Sequence, residues 1–395
     1  MTEHYLDNSA TTPLCAAAYE KMESVMRHVY GNPSSLHTLG LEAEKIVTEA
    51  RSKILTALCP TKSGLRTKPE NLLFTASGTE ANNLALIGAA TAKSRNRGKK
   101  IIIGETEHPS VVETAHHLEA LGFQIVKIPS PQGVWDMDAY RKALSPDTIL
   151  VSAMLVNNET GAVNDIAAVA AAARAANPNV LVHCGAVQGF LKTELCPAVA
   201  ADMVTLSAHK IGGPKGVGAL YINDKIIKTR ALSPVIFGGG QERGFRSGTE
   251  NVAGIAGFGA AAADGAKTLP SFLDEIARLR ERLENEIAAF AGYGIRINRP
   301  QTAVIAKHII SLTVPGIRSE TLLHSLSADG VYVSSGSACS SNTGHASYVL
   351  RSFGLSAADA DSTIRISLGT QNTEEDIAAF CVSLDRGLQK LAKTK

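Results

Sequence analysis

The sequence lacks a marked charge excess, an export signal and a long apolar helix, and each absence narrows the range of functions that the protein can have. Basic and acidic residues nearly balance, 39 against 37 with a formal charge of +2, so the chain has no strong positive field for nucleic acid or anionic membranes. The amino terminus lacks the basic and apolar regions of an export signal, and the most apolar helix candidate, residues 253–263, is short and interrupted by glycine. We therefore expect a cytoplasmic protein with no nucleic-acid or membrane partner.

Paired cysteines are also missing. The six cysteines, at positions 15, 59, 184, 196, 339 and 381, form no CxxC pair and follow no regular spacing. This arrangement argues against a zinc site and against a disulfide framework, and it fits a reducing compartment. No metal site is predicted.

The order of the predicted elements is typical of a doubly wound α/β sheet. Helical segments such as residues 166–176 alternate with seven β-rich runs, at residues 71–75, 100–104, 124–128, 148–155, 180–183, 203–206 and 218–222. Beyond residue 265 follow a charged helix (273–290), three strands (309–314, 331–334 and 363–368) and a terminal helix from residue 374. The sequence thus predicts a mostly parallel seven-stranded sheet in a large α/β domain, residues 15–264, and a smaller α+β domain formed by residues 1–14 and 265–395.

The most informative segment is a strand-like run that ends in Ser207, Ala208, His209 and Lys210 and is followed by two glycines. Glycines at this point let the backbone pass close to a ligand, so we expect the Lys210 amine at the mouth of the sheet. An amine held there, away from bulk water, can form a Schiff base with an aldehyde. The alternative is a solvated lysine in a surface turn, as most lysines are.

Polar groups follow three other predicted strands, where open α/β sheets bind their ligands. Gly78 and Thr79 open a helix whose free amides and positive dipole end suit a phosphate, although such a turn is also a common helix cap. His108 and Asn158 follow later strands, and each alone could be an ordinary loop residue. Together these groups favour a shared ligand site.

A serine- and glycine-rich segment, residues 334–345, carries Cys339 near its middle. The composition predicts a mobile, exposed loop, so reactivity is a better interpretation of Cys339 than packing in a core. Only about a few per cent of a free thiol is ionised at neutral pH, and His108 or His345 could supply the base that it needs.

Taken together, these residues resemble those of cysteine desulfurases, which are fold type I pyridoxal phosphate enzymes of the class V aminotransferase group. The resemblance runs nearly end to end, with matching stretches at residues 5–12, 31–35, 106–108, 156–159, 207–210, 238–243, 246–249 and 334–339. The long cysteine segment resembles the branch of the family that hands sulfur to scaffold proteins.

This resemblance implies that L-cysteine is converted to L-alanine and that a persulfide is left on Cys339. Lys210 is implied to carry pyridoxal 5'-phosphate and to move the substrate Cα proton, while His108 stacks on the ring and shuttles protons. The sulfur would pass to an acceptor protein, either an iron–sulfur scaffold or a thiolation enzyme.

The resemblance also implies the binding residues. Arg365 matches the residue that grips the substrate carboxylate through its planar fork, with a surface arginine as the weaker alternative, and Asn32 and Asn158 are further substrate contacts. The implied cofactor contacts, apart from Lys210 and His108, are Gly78, Thr79, Asn158, Gln188, Ser207, His209 and, from the neighbouring subunit of a homodimer, Thr249.

One position departs from the family pattern. Three residues before Gln188 the family has an aspartate that pairs with the pyridine nitrogen, and this chain has Gly185 there. Losing a charge-assisted hydrogen bond costs about 1.5 to 3 kcal/mol, and Cys184 is a poor replacement because adjacent strand residues face opposite sides.

We therefore expect a weakened or specialised desulfurase. Two alternatives stay open. One is another pyridoxal phosphate enzyme, a C–S or C–Se lyase or an aminotransferase, which would depend less on Cys339. The other is a degenerate, non-catalytic dimer that only binds a sulfur-transfer partner.

Overall fold

The computed structural model describes residues 2–92, 98–336 and 347–391. Its strands are β1 (His4–Tyr5), β2 (Leu72–Thr75), β3 (Lys100–Gly104), β4 (Gln124–Ile128), β5 (Thr148–Met154), β6 (Leu181–Gly185), β7 (Met203–Ser207), β8 (Gly218–Ile222), β9 (Arg296–Ile297), β10 (Ile309–Thr313), β11 (Val331–Tyr332) and β12 (Thr363–Ser367). Its helices are α1 (Ala16–His28), α2 (Thr38–Leu58), α3 (Gly78–Thr91), α4 (Pro109–Ala120), α5 (Met137–Ala143), α6 (Ile166–Ala176), α7 (Asp224–Thr229), α8 (Val252–Ala288), α9 (Ser319–Ala328), α10 (Tyr348–Phe353), α11 (Ala357–Asp361) and α12 (Glu374–Leu391).

The central sheet confirms the predicted α/β fold. Its seven strands run in the order β2-β8-β7-β6-β5-β3-β4. The strand β8 is antiparallel to both neighbours, and the other pairs are parallel. Continuous apolar runs such as those of β3 and β5 form its middle, because helices cover both faces of such a sheet and leave no polar side. All parallel strands therefore end at one edge, where ligands bind in this architecture.

Two small sheets stand apart from the central one. The strands β12, β10 and β9 form an antiparallel sheet, and β1 pairs in parallel with β11. The strand β11 is shorter than predicted, because Ser334 leaves it and instead forms a bridge with Arg365 of β12. The apolar faces of these strands pack with α8, α9 and α12 around Leu6, Leu279 and Phe380.

The helix α8 corrects the expectation of a break near residue 265. It is a single helix of 37 residues that contains Pro270 and passes through the predicted domain boundary. The glycines that suggested an interruption are contact points instead. A Cβ on Gly259 would lie 2.7 Å from Ala50 Cα, so glycine lets α8 approach α2 closely, and this packing offsets its low helix propensity. The division into domains at residue 265 stays a prediction.

A glycine also brings the site's first turn into place. A Cβ on Gly218 of β8 would lie 2.4 Å from the carbonyl carbon of Ser77, so only glycine lets the turn after β2 lie against β8. Across the described ranges, no helix combines the length and the apolar composition that a bilayer crossing requires.

Candidate active site

A cavity of about 300 Å³ opens at the edge where the parallel strands end. Its walls come from the turn after β2, the loop after β3, the last residues of β5, β6 and β7, and the strand β12. The structure brings nine predicted site residues together around it: Gly78, Thr79, His108, Asn158, Gln188, Ser207, His209, Lys210 and Arg365.

Two predicted site residues, Asn32 and Thr249, are not part of this cavity. Asn32 and Thr249 are exposed and do not line it in the single chain. The expected role of Thr249 in the neighbouring subunit's site stays a prediction. Cys339 lies outside the residues that the structure describes.

Lys210 ends a short 3-10 turn, Ala208–Lys210, that follows β7 directly. Its Nζ donates hydrogen bonds to the carbonyl oxygens of Ser9 at 2.5 Å and Ala10 at 2.7 Å. Thr12 links the amino-terminal segment to this turn, since its hydroxyl donates to the carbonyl oxygen of His209 at 2.9 Å. The amine is therefore part-buried at the end of the sheet, as predicted, and the amino-terminal segment orients it.

The turn between β2 and α3 forms a cradle for an anion. Ser77 caps α3 by accepting from the backbone N–H of Glu80 at 3.1 Å, while the amides of Gly78 and Thr79 come before the first intrahelical hydrogen bonds. A Cβ on Gly78 would lie 3.3 Å from Val187 and 3.4 Å from Ser207, so a residue larger than glycine would crowd these side chains. Free amides at a helix amino terminus suit a phosphate group.

Two histidines flank the lysine, and both are neutral at neutral pH. Burial, helped by the nearby Lys210 charge, lowers the pKa of His108 to about 4. The same two causes, with smaller effects from other lysines, lower the pKa of His209 to about 4. His108 is oriented by Ser110, whose hydroxyl lies 2.8 Å from Nδ1. A neutral imidazole at this place can pack on an aromatic ring and accept a proton.

Arg365 brings a charged fork into the cavity from β12. Its Nη2 donates to Asp7 Oδ1 at 2.7 Å and its Nη1 to the carbonyl oxygen of Asn158 at 2.9 Å. The residue is only 2% exposed, and its Nε has no hydrogen-bond partner among the described residues. A buried donor without a partner is costly, so this atom suits an anionic ligand such as a carboxylate.

Several lining residues were not predicted as site residues. Ser9 Oγ and Asn82 Oδ1 are buried without a partner in the described chain, and both residues line the cavity. Glu107 lines it too, and burial raises its pKa to about 8. Ser9 and Glu107 belong to stretches that carry the family resemblance, and that was the available signal for them.

These groups fit pyridoxal phosphate at all but one point. The cradle at Gly78 suits its phosphate, Lys210 its aldehyde, and His108 the face of its ring. The exception is the ring nitrogen, for which Gly185 offers no side chain. Among the described residues, a Cβ at this position would meet only Met154, at 3.8 Å, so there is room for the aspartate side chain that this chain lacks.

Known proteins match the chain along nearly its whole length. The family described as Aminotransferase class-V matches residues 4–380. The cysteine desulfurase IscS of Dictyoglomus turgidum is 37% identical over 392 residues, which is 98% of this chain and 95% of that protein. A solved NifS-like protein superposes with a TM-score of 0.89 at 34% identity and covers 99% of this chain and 100% of its own. A structure of SspA in complex with cysteine has a TM-score of 0.77 at 31% identity and covers 93% and 99%. With its sheet order, its strand-end lysine and these matches, the chain belongs to the class V aminotransferase family.

Proposed function

We propose that this protein is a pyridoxal phosphate-dependent cysteine desulfurase, which converts L-cysteine to L-alanine and leaves a persulfide on Cys339. The observation that carries the proposal is the placement of Lys210, the Gly78 cradle and Arg365 around one cavity, with the Arg365 Nε lacking a partner among the described residues. A related protein bears the name cysteine desulfurase, and another has been solved in complex with cysteine.

The cofactor would be held by residues from three parts of the chain. The amides of Gly78 and Thr79 would hold its phosphate together with Ser207 and His209. His108 would lie against its ring. When bound, pyridoxal phosphate supplies an electron sink for negative charge at the substrate Cα.

The chain's own residues bind the substrate and move its protons. Arg365 takes the substrate carboxylate on Nε while its two other nitrogens keep Asp7 and the carbonyl of Asn158. Lys210 Nζ gives up its hydrogen bonds to the carbonyls of Ser9 and Ala10 when the substrate reacts. It then removes the substrate Cα proton and later returns it. His108, neutral at working pH, is free to accept and return a further proton.

Sulfur transfer requires the thiolate of Cys339. Its attack on the substrate sulfur forms an S–S bond and breaks the C–S bond, whose electron pair stays on carbon and takes up a proton to give alanine. Thr249 is exposed in one chain, which supports a homodimer in which it reaches the neighbouring site. The unpaired cysteine spacing of the sequence is the basis for including a reducing, cytoplasmic location in this proposal.

Absorption spectroscopy with chemical trapping tests the proposal. The purified protein with added pyridoxal phosphate should show a visible band that borohydride removes, and peptide mass analysis should find the cofactor on Lys210. Cysteine should then yield alanine and a persulfide, and Cys339→Ser should lose the persulfide. Pyruvate and sulfide as the main products, unaffected by Cys339→Ser, would support a different lyase, and a protein that binds no cofactor would support the non-catalytic dimer.

A further inference from the structure

The cavity holds one carboxyl group for which the proposed reaction has no use. Of the described residues that line the cavity, Glu107 alone is acidic. It lies three residues beyond β3, and only 1% of it is exposed. The hydrogen bonds that the structure describes for its side chain involve one oxygen, Oε1, which accepts from the backbone N–H of Met154 at 2.5 Å. The second oxygen is therefore available to a ligand.

This carboxyl group lies beside the place of the missing aspartate. Met154 is the register partner of Gly185 across β5 and β6, and both line the cavity. A Cβ on Gly185 would lie 3.8 Å from both Cα and Cβ of Met154. Glu107 is thus bonded to the residue that faces the unfilled position.

The other polar side chains near Gly185 are not suited to replace an aspartate. Cys184 is fully buried and does not line the cavity, as its strand position predicts. His183 lies two residues before Gly185 in β6, and its two ring nitrogens are 2.9 Å from the hydroxyls of Ser152 and Thr205. Both of its nitrogens are therefore engaged.

We propose that the Glu107 carboxyl group hydrogen-bonds the ring nitrogen of pyridoxal phosphate and so replaces the aspartate that position 185 lacks. The inference rests on the proposed function, because it requires this cofactor in the cavity.

The protonation state of Glu107 defines the kind of bond. Because burial raises its pKa to about 8, the carboxyl group is protonated at neutral pH and donates its O–H to the lone pair of the nitrogen. No proton is transferred, and the nitrogen stays neutral. A neutral ring withdraws less negative charge from the substrate than the protonated ring that an ionised aspartate maintains.

Cofactor titration of the apoprotein tests the role of Glu107. Glu107→Leu removes the donor and should weaken pyridoxal phosphate binding by about tenfold or more, the usual effect of leaving a buried polar group unpaired. Glu107→Gln keeps an oxygen for Met154 and an N–H donor for the ring, and it should bind within about threefold of the parent. Glu105→Leu is the matched control on the same loop, since Glu105 bonds Ser352 and does not line the cavity, and it should bind like the parent.

A second-site change separates a bond to the ring from a structural role. Gly185→Asp, introduced beside Glu107→Leu, should restore pyridoxal phosphate affinity to within about threefold of the parent, although it cannot restore the contact with Met154. Failure of this rescue, or unchanged affinity in Glu107→Leu alone, overturns the inference.

Nuclear magnetic resonance tests the same point on the parent protein, where misfolding of a variant cannot explain the result. The ring nitrogen of ¹⁵N-labelled cofactor should resonate as a neutral, hydrogen-bonded nitrogen, and as a protonated one in Gly185→Asp. A protonated nitrogen in the parent contradicts the inference. A parent protein that does not bind the cofactor through Lys210 refutes instead the proposed function.

Discussion

Replacing Gly185 by aspartate should make the enzyme faster. The backbone accepts the change, because Gly185 is not among the described glycines with positive φ and a new Cβ would make only ordinary contact with Met154 at 3.8 Å. The side chain would enter the cavity at the edge of the sheet, next to the protonated Glu107. Folding should therefore be little affected, and the change should act on the cofactor.

The size of the gain follows from the two kinds of hydrogen bond. A neutral bond contributes about 0.5 to 1.5 kcal/mol, and one to a charged group about 1.5 to 3 kcal/mol. The difference of about 1 to 1.5 kcal/mol corresponds to a factor of about ten. We expect Gly185→Asp to bind pyridoxal phosphate about tenfold more tightly and to form alanine about tenfold faster at saturating cofactor.

The assay is alanine formation from saturating L-cysteine and a thiol that accepts the persulfide sulfur, with the melting temperature measured in parallel. Gly185→Asn is the matched control, because the amide has nearly the same volume but no negative charge, and it should give little gain. Equal rates for the parent and Gly185→Asp, with both saturated and folded, would refute the idea that the missing aspartate limits this enzyme.

Three further outcomes are expected. Arg365→Lys keeps the charge but loses the fork, so the KM for L-cysteine should rise about tenfold or more while cofactor affinity, measured by titration, stays unchanged. Subunits with Thr249→Asp and subunits with Lys210→Ala should each be inactive, yet random mixing should restore about one quarter of the sites if Thr249 acts across a dimer interface; mixtures without activity would contradict this. Burial lowers the pKa of His183 to about 3, so the unfolded chain binds the proton first and stability falls as the pH drops below about 6.5. Between pH 6.5 and 5 this histidine should account for about 2 kcal/mol of lost unfolding free energy, and urea titrations of His183→Asn should show an acid loss that is smaller by that amount.

The central sheet could be predicted from the sequence because its strands are short apolar runs between clear turn signals. The strands β3, β4 and β8 have the predicted bounds, and the others differ by at most two residues. The two ends of α8 were predicted as separate helical segments, 253–263 and 273–290, but their continuity could not be predicted, because a glycine in a helical pattern has more than one meaning. At Gly259 it marks close packing against Ala50, and the sequence alone does not distinguish that from an interruption.

The site was predictable where a side chain follows a strand. Parallel strands bring their ends to one edge, so Lys210 and His108 could be placed near each other without coordinates. The acid Glu107 has the same kind of position, but an isolated glutamate in a loop is more often solvated than buried. The groups that hold the lysine amine are backbone carbonyls of Ser9 and Ala10, which no side-chain pattern reveals.

The amino-terminal segment explains how the cavity keeps two cations close together before any anion binds. Asp7 pairs with Arg365 at 2.7 Å, and the carbonyls of Ser9 and Ala10 hold the Lys210 amine. Gln188 also holds this segment, because its side-chain amide donates to the carbonyl oxygen of Ser9 at 2.8 Å. Arg365 has five N–H donors, and because its Nε has no partner in the part of the chain that the structure describes, a substrate carboxylate can add to the fork without displacing Asp7. The hydrogen bonds described for the lysine go to neutral backbone carbonyls, whereas Arg365 is held by the carboxylate of Asp7. The same segment therefore positions both the binding residue and the reactive amine.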